Sequence, residues 1–253
     1  MSITRRIFVA TLGSAVRAAD QPRVTIATVP PGTPVPARLA AEACVFTRAY
    51  AACPDALLFR QTLVSGCFPH KRNAPALLAA DFPSRLPDVP AAALFVSLPD
   101  GDTPFERSTH VALAIRHPRL PRGKAFDFPV STVDIAPTLL ALAGSEIPDD
   151  IHGRDLSALI AGGAGEHPEA VYAEGRLNAP DEWRMLVRGL DKIVVRRNLD
   201  ILHLFNLADD PSEEHDLAAE IGYRLKVDEL TALVHAWMKR TGDGMDPSGL
   251  KRR

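Results

Sequence analysis

The order of hydrophobic and polar residues predicts buried strands in the first two thirds of the chain. RVTIATV (23–29) is apolar and β-branched and precedes a Pro-Pro-Gly turn, which is typical of a buried strand. AALFVS (92–97) and VALAIR (111–116) are continuous apolar runs of the kind that parallel sheets bury on both faces. We therefore expect three core strands in this region.

Helical segments alternate with these strands. ARLAAEA (37–43) favours a helix, and Asp55 is a suitable N-cap for ALLFRQTLVSG, in which Gly66 would end the helix. A further helix is predicted from Ser131 or Thr132 through DIAPTLLALAG, ending at Gly144. The order of strands and helices predicts a layered α/β domain.

The pattern changes after about residue 165 to short, half-polar strands separated by turns, which predicts a small antiparallel sheet. These strands are AVYAE (170–174), WRMLVRG (183–189), KIVVRR (192–197) and LHLFNL (202–207). A last helix, 222–240, carries an apolar stripe at helical spacing that we expect to pack on this sheet: Val227, Leu230, Val234 and Trp237. We predict three parts: a leader at 1–19, an α/β core at 20–165 and a C-terminal subdomain at 166–253.

Composition and charge exclude several classes of protein. The 253 residues are 46% hydrophobic, which is ordinary for a globular protein, and 29 Lys and Arg oppose 31 Asp and Glu. The resulting net charge of -2 gives no basic field for nucleic acid, so we expect no nucleic-acid partner. No apolar run approaches the length of a membrane span.

The first residues resemble an export signal. Arg5 and Arg6 precede an apolar run, Ile7 to Val16, followed by small residues, and Thr4-Arg5-Arg6-Ile7-Phe8 resembles the twin-arginine signal. We predict a periplasmic or extracellular location. The alternative is a short amphipathic element kept in the mature protein.

Three cysteines, Cys44, Cys53 and Cys67, are spaced unlike any zinc motif. In an oxidising compartment they could form one disulfide and leave one thiol, or all three could be small buried residues.

Four segments in the same order resemble the sulfatases of the alkaline phosphatase superfamily. They are TPVPARLAAEACVFTRAYAACP (33–54), RQTLVSGCFPH (60–70), TPFERSTHVALAIRHP (103–118) with the VSTVDIAPTLLALAG and HGRDL that follow, and LFNLADDPSEEHDLA (204–218). The resemblance implies a reduced α/β sulfatase core sheet flanked by helices, with a small C-terminal antiparallel sheet and a terminal helix.

The family resemblance also implies hydrolysis of sulfate esters. In that chemistry a cysteine or serine in a C-x-P-x-R motif becomes formylglycine, whose hydrate attacks sulfur, and a calcium ion held by carboxylates stabilises the sulfate oxygens. A helix N-terminus beneath the nucleophile favours the anion, and a hard cation needs several oxygen ligands.

The residue that acts as nucleophile in the family is replaced in this sequence. Counting back from Arg60, which matches the motif arginine, the nucleophile position is Ala56, and Leu58 replaces the motif proline. An alanine methyl group can neither be oxidised to formylglycine nor attack a substrate. Cys53 lies three residues upstream and lacks the surrounding signature.

The metal ligands are also replaced. The family's paired aspartates align with Thr28 and Val29, and the lysine expected before TPFE aligns with Gly101. Asp100 or Asp102 could supply one ligand, which is too few for the oxygen shell of calcium, so we predict no bound cofactor.

Anion binding could persist without catalysis. Arg60 remains on the former nucleophile helix, and His70 extends a small basic cluster with Lys71 and Arg72, so both are candidates for binding sulfate, phosphate or a sulfated glycan.

Three hypotheses follow. The first is a sulfatase relative that has lost hydrolysis and retains anion or sulfated-glycan binding. The second is an active sulfate or phosphate ester hydrolase that uses water directly, with Arg60, Asp100 and His70 as improvised partners. The third is a deletion product, because in sulfatases the interval corresponding to residues 76–91 is much longer.

Overall fold

The computed structural model describes residues 23–71, 74–81, 93–163, 165–196 and 198–243. The predicted leader, 1–19, lies outside these residues. Within them the chain forms two sheets that are covered by helices. No helix of the described part is both long enough and apolar enough to cross a membrane.

The larger sheet has seven strands in the order β3-β1-β4-β5-β2-β6, with β7 also paired to β2. The strands are β1 (Arg23–Val29), β2 (Cys44–Tyr50), β3 (Ala79–Asp81), β4 (Ala93–Ser97), β5 (His110–Arg116), β6 (Lys124–Phe126) and β7 (Val130–Ser131). β1 pairs in parallel with both β3 and β4. The predicted strands at 23–29, 92–97 and 111–116 are confirmed.

The expectation that 111–116 belongs to a parallel arrangement is wrong, because β5 runs antiparallel to both β4 and β2. The connection between β4 and β5, which lies within the described residues 93–163, contains a single short helix, Glu106–Thr109, and no helix long enough to cross the sheet as in a βαβ unit. β5 is nevertheless apolar on both faces: Leu113 and Ile115 pack in the main core, and Ala114 packs in a second cluster behind the sheet.

The described residues form six α-helices: α1 (Ala37–Ala40), α2 (Ala56–Ser65), α3 (Glu106–Thr109), α4 (Ile135–Ala143), α5 (Ser157–Ile160) and α6 (Arg224–Thr241). Short 3-10 turns, Thr132–Asp134 and Ile221–Tyr223, precede α4 and α6. The helix predicted at 37–43 is shorter than expected, since the chain has to extend again to enter β2 at Cys44.

Both ends of α2 follow the sequence prediction. The Asp55 carboxylate accepts hydrogen bonds from the backbone N-H groups of Leu57 and Leu58, each at 3.0 Å. Gly66 ends the helix with φ +67°, and a Cβ placed there would lie 3.2 Å from Cδ of Pro137 in α4. Glycine therefore permits both the left-handed turn and the close approach of the two helices.

The second sheet is an antiparallel meander in the order β11-β10-β9-β8, as predicted. Its strands are β8 (Ala170–Gly175), β9 (Trp183–Arg188), β10 (Asp191–Arg196) and β11 (Ile201–Asn206). Leu230 and Val234 of α6 pack on one face of this sheet, which confirms the predicted apolar stripe. The opposite face packs against Tyr50 at the end of β2.

A buried lysine ties the two sheets together. The side chain of Lys192 on β10 is fully buried and forms ion pairs with Glu106 of α3 at 3.0 Å and with Glu213 at 2.7 Å. Glu213 is almost completely buried and also accepts the backbone N-H of Glu106. The lysine thereby connects the segment after β4 to the C-terminal sheet.

The structure describes Cys44, Cys53 and Cys67 as free, buried thiols, so the disulfide alternative is not formed among them. Burial raises the pKa of Cys44 to about 11, since a thiolate is disfavoured away from water.

We expect Lys192→Met to lower the free energy of unfolding by about 3–5 kcal/mol, because it leaves the buried Glu213 carboxylate without its cation. The matched control is Lys71→Met, which removes an ion pair to the exposed Asp150 and should cost about 0–1 kcal/mol. Urea titrations of both variants measure the difference. Equal losses would contradict a connecting role for Lys192.

Candidate functional site

The position that corresponds to the family nucleophile lies at the N-terminal end of α2. Ala56 is the first residue of the helix and is exposed. The first free N-H groups of a helix attract anions, but here the Asp55 carboxylate already accepts two of them. The site therefore carries its own negative charge in the place where a sulfate group would bind.

A second carboxylate lies near this helix end. Asp102, in the segment after β4, accepts the backbone N-H of Arg176 at 3.2 Å. The pKa of Asp102 is raised, first by burial and then by the neighbouring charges of Asp55 and Asp181, against the Arg176 hydrogen bond. The structure thus brings Asp102 and Asp55 together.

The loop between β8 and β9 contacts Asp102 through the backbone N-H of Arg176. Its Arg176 pairs with Asp181 through two hydrogen bonds of 3.0 and 3.1 Å. Arg176 and Asn178 both have positive φ, 55° and 65°, a conformation that costs energy in residues with a Cβ atom. The arginine nearest Asp102 is therefore already bound to a carboxylate.

Cys53 is not an activated nucleophile. Its side chain is buried, and burial raises the pKa of the thiol well above its ordinary value. The charges of Glu174, Asp102 and Asp55 raise it further. Catalytic cysteines need the opposite environment, one that stabilises the thiolate.

The residues present do not fit the calcium ion that the family resemblance implies. β1 and β4 are parallel neighbours whose ends meet at Val29 and Ser97, so the two metal-bearing segments do lie side by side. Thr28, Val29 and Leu98 offer no carboxylate there. Asp100 is exposed and its backbone carbonyl accepts a hydrogen bond from Ser108 Oγ, and Asp102 alone cannot supply the six to eight oxygens that calcium takes.

His70 lies in a buried polar network, and not in a solvated basic loop. Its Nδ1 lies 2.7 Å from Oε2 of Glu174, and its Nε2 lies 3.1 Å from the carbonyl oxygen of Thr241. Both partners are acceptors, so the ring satisfies both contacts only as an imidazolium that donates twice. The backbone N-H of His70 also binds Glu174, at 2.8 Å.

Arg184 occupies the centre of this network. Its Nε donates to Asp243 at 2.6 Å, its Nη2 donates to Glu182 at 2.7 Å, and it forms a 3.7 Å ion pair with Glu174. His70, Glu174 and Asp243 place ligand atoms within 4.8 Å of one another, as a metal site would. The buried guanidinium already supplies the cation to both carboxylates, so this cluster is a structural ion network.

A second histidine stacks on the first. The rings of His152 and His70 have centroids 5.2 Å apart. His152 Nδ1 accepts the backbone N-H of Phe68 at 3.1 Å and therefore carries no proton. Burial first, and then the positive charges of His70 and Lys71, lower the pKa of His152 to about 4.

Sequence reasoning identified His70 but missed Glu174, Arg184 and Asp243. Glu174 and Arg184 stand among apolar residues in two predicted strands, and a charged residue in such a run signals a buried partner. The sequence did not show which residue the buried partner is, because Asp243 is distant in sequence and follows α6.

Arg60 lies one turn into α2 on its exposed face. Its assignment to anion binding, and that of His70, stay predictions.

Comparison with known proteins assigns the family. The family model for the C-terminal part of N-sulphoglucosamine sulphohydrolase matches residues 100–240, more than half of the chain. The chain belongs to the sulfatase family. The match covers β5, the C-terminal sheet and nearly all of α6, and it includes two of the four segments on which the sequence resemblance rests, 103–118 and 204–218.

Individual sulfatases support this assignment. Arylsulfatase K of Xenopus laevis is 30% identical over 128 residues, which is 46% of this chain and 24% of the relative. The ulvan-active sulfatase of Formosa agariphila is 27% identical over 55% of this chain and 28% of its own length. The chain thus spans about a quarter of the length of these sulfatases.

A solved 2-O GAG sulfatase has the same fold, with a TM-score of 0.74 over 88% of this chain and 93% of that structure at 13% identity. The alkaline-phosphatase-like sulfatase architecture expected from the sequence is confirmed.

The stacked histidines predict a stability maximum near pH 6.5, the ordinary pKa of histidine. Burial would lower the pKa of His70, but the Glu174 hydrogen bond and the charges of Glu174 and Asp243 outweigh it and raise the pKa. The folded state then holds the His70 proton more tightly, and the resulting stability is lost as the pH rises from about 6.5 through the raised pKa. His152 acts oppositely: its stability contribution is lost as the pH falls from about 6.5 towards 4.

Urea unfolding of wild type and His70→Gln between about pH 5 and 9 tests this prediction. We expect the alkaline decline to flatten in His70→Gln, because the glutamine does not titrate, while the acid-side slope remains. An unchanged alkaline slope would contradict a protonated His70.

Proposed function

We propose that this sulfatase-family protein does not hydrolyse sulfate esters by the formylglycine route and acts instead by binding. The observation that carries the proposal is the N-terminal end of α2, where Ala56 occupies the nucleophile position and the Asp55 carboxylate accepts the N-H groups of Leu57 and Leu58. Neither the attacking group nor the unoccupied anion donors are present there.

We infer that the ligand is a sulfated glycan whose sulfate group contacts Arg60. The inference is supported by the exposed position of Arg60 on α2 and by relatives that act on sulfated polymers, among them an ulvan-active sulfatase and a 2-O GAG sulfatase. Export through the twin-arginine-like leader would bring the protein to such polymers. A guanidinium binds sulfate through charge-assisted hydrogen bonds without any chemical step.

A second candidate function is direct hydrolysis of a sulfate or phosphate ester by water. The position of Asp102 favours it, because a partly buried carboxyl group whose pKa is raised by burial and by the charge of Asp55 is of the kind that acts in proton transfer. Asp102→Asn would abolish such activity, whereas the binding proposal predicts that the wild-type protein has no hydrolytic activity to lose.

We expect no turnover of an aryl sulfate by the wild-type protein. We also expect none after Ala56→Cys combined with Leu58→Pro, which restores the motif, even in a host that makes formylglycine. The reason is that Thr28 and Val29 still offer no carboxylate for the cation. Release of the phenol, followed by absorbance, is the measurement.

Wild-type turnover that disappears in Arg60→Ala or Asp102→Asn would overturn the loss of catalysis. Turnover gained only by the restored motif would show instead that the missing nucleophile alone inactivates the protein.

Arg60→Ala should weaken binding of a sulfated oligosaccharide by about tenfold, the effect expected for one charge-assisted contact. Arg38→Ala, at another exposed arginine, is the matched control and should leave the Kd unchanged. Isothermal titration with the sulfated oligosaccharide and its desulfated form gives the comparison. Equal affinity for both forms would contradict recognition of sulfate.

A further inference from the structure

An open cavity of about 580 Å³ lies beside the contact between the two sheets. It is lined from β2, from the turn between β9 and β10, from α6, and from the segments at 127–129 and 167–169. This volume is typical of sites for small organic ligands. No residue of the α2 site lines it.

The cavity wall carries charges of both signs. The cations are Arg48, Arg188 and Lys226, and the carboxylates are Asp127, Glu169, Asp191 and Glu229. Three cations against four carboxylates leave a formal charge of -1, so the net charge of the wall does not attract an anion, and an anionic group could bind only through a local contact with one of the cations. Carboxylates also accept hydrogen bonds from hydroxyl groups, which favours a hydroxyl-rich ligand.

Two of the three cations, Lys226 and Arg188, already form ion pairs. Lys226 pairs with Asp191, and Arg188 pairs with Glu229 and, at 3.8 Å, with Glu169. These pairs fix the side chains and neutralise them locally.

Arg48 is different. Its guanidinium donates to the backbone carbonyls of Gly189 and, at 3.5 Å, Asp127, and it forms no ion pair with any carboxylate in the described part of the chain. Its Nε is buried without a hydrogen-bond partner among those residues. The Arg48 side chain also hydrogen-bonds that of Tyr50, so in the described part of the chain its partners are two carbonyls and a hydroxyl rather than a carboxylate, and its charge can still pair with an anionic group.

An apolar wall completes the cavity. Phe128 and His167 both line it and form an edge-to-face pair with centroids 5.2 Å apart, next to Pro129 and Pro168. Such a surface suits the C-H face of a sugar ring.

We propose that this cavity binds a small acidic sugar, with its single carboxylate on Arg48 and its hydroxyl groups on the wall carboxylates. The cavity is independent of the α2 site and of the proposed sulfate contact at Arg60.

Isothermal titration of the full chain with D-glucuronate, D-glucose and a heparin oligosaccharide tests the proposal. We expect glucuronate to bind, glucose of the same size to bind at least about tenfold more weakly, and Arg48→Met to reduce glucuronate affinity by about tenfold. Arg122→Met, at an exposed arginine outside the cavity, should leave glucuronate binding unchanged.

Equal binding of glucuronate and glucose, binding that survives Arg48→Met, or no glucuronate binding at about 10 mM would overturn the proposal. If Arg48→Met does not fold, NMR of the wild type decides. Glucuronate bound in the cavity should shift the ring signals of His167, and unchanged signals would contradict binding there. Heparin binding that is weakened by Arg60→Ala but not by Arg48→Met would be assigned to the α2 site.

Discussion

The buried Glu174 carboxylate is the interaction on which the arrangement of the molecule depends. It accepts two hydrogen bonds from His70, which follows α2, and pairs with Arg184 of the neighbouring strand, which in turn binds Asp243 after α6. The loop after the former nucleophile helix is thereby fixed to the C-terminal sheet and to the end of the last helix. Each charge is buried with its partners, so the loss of one leaves the others without compensation.

The position of α2 is set by local contacts. Asp55 caps the helix, and Gly66 lets it approach Pro137, so the helix is held by its own caps and by packing. None of these contacts needs a nucleophile or a cation at Ala56. Replacement of the catalytic groups is therefore compatible with the sulfatase fold.

Local features of the fold were predictable because they depend on neighbours in sequence. Asp55, Gly66 and Gly144 begin or end helices as the sequence indicates, and the apolar stripe of α6 packs as its spacing requires. Strand direction was not predictable: the run at 111–116 is apolar because both faces are covered, and burial alone does not distinguish parallel from antiparallel neighbours. The short strand β3 was missed because three residues carry no periodicity.

The same distinction between local and long-range features applies to the candidate site. The prediction that the nucleophile and metal ligands are missing rests on Ala56, Thr28 and Val29 alone, since those side chains lack the necessary chemistry wherever they lie. The electrostatic character of the site could not be predicted from the sequence. It depends on the interaction of Asp102 with Asp55 at the capped helix end and on the pairing of Arg176 with Asp181. A helix N-terminus that attracts sulfate in an active sulfatase is occupied here by a carboxylate of the same chain. An anion is therefore not expected to bind the N-H groups of this helix end, and the side chains of Arg60 and Arg48 offer two other places with different surroundings: one on an exposed helix face, the other in a cavity where the local charge of Arg48 has to outweigh a formal wall charge of -1.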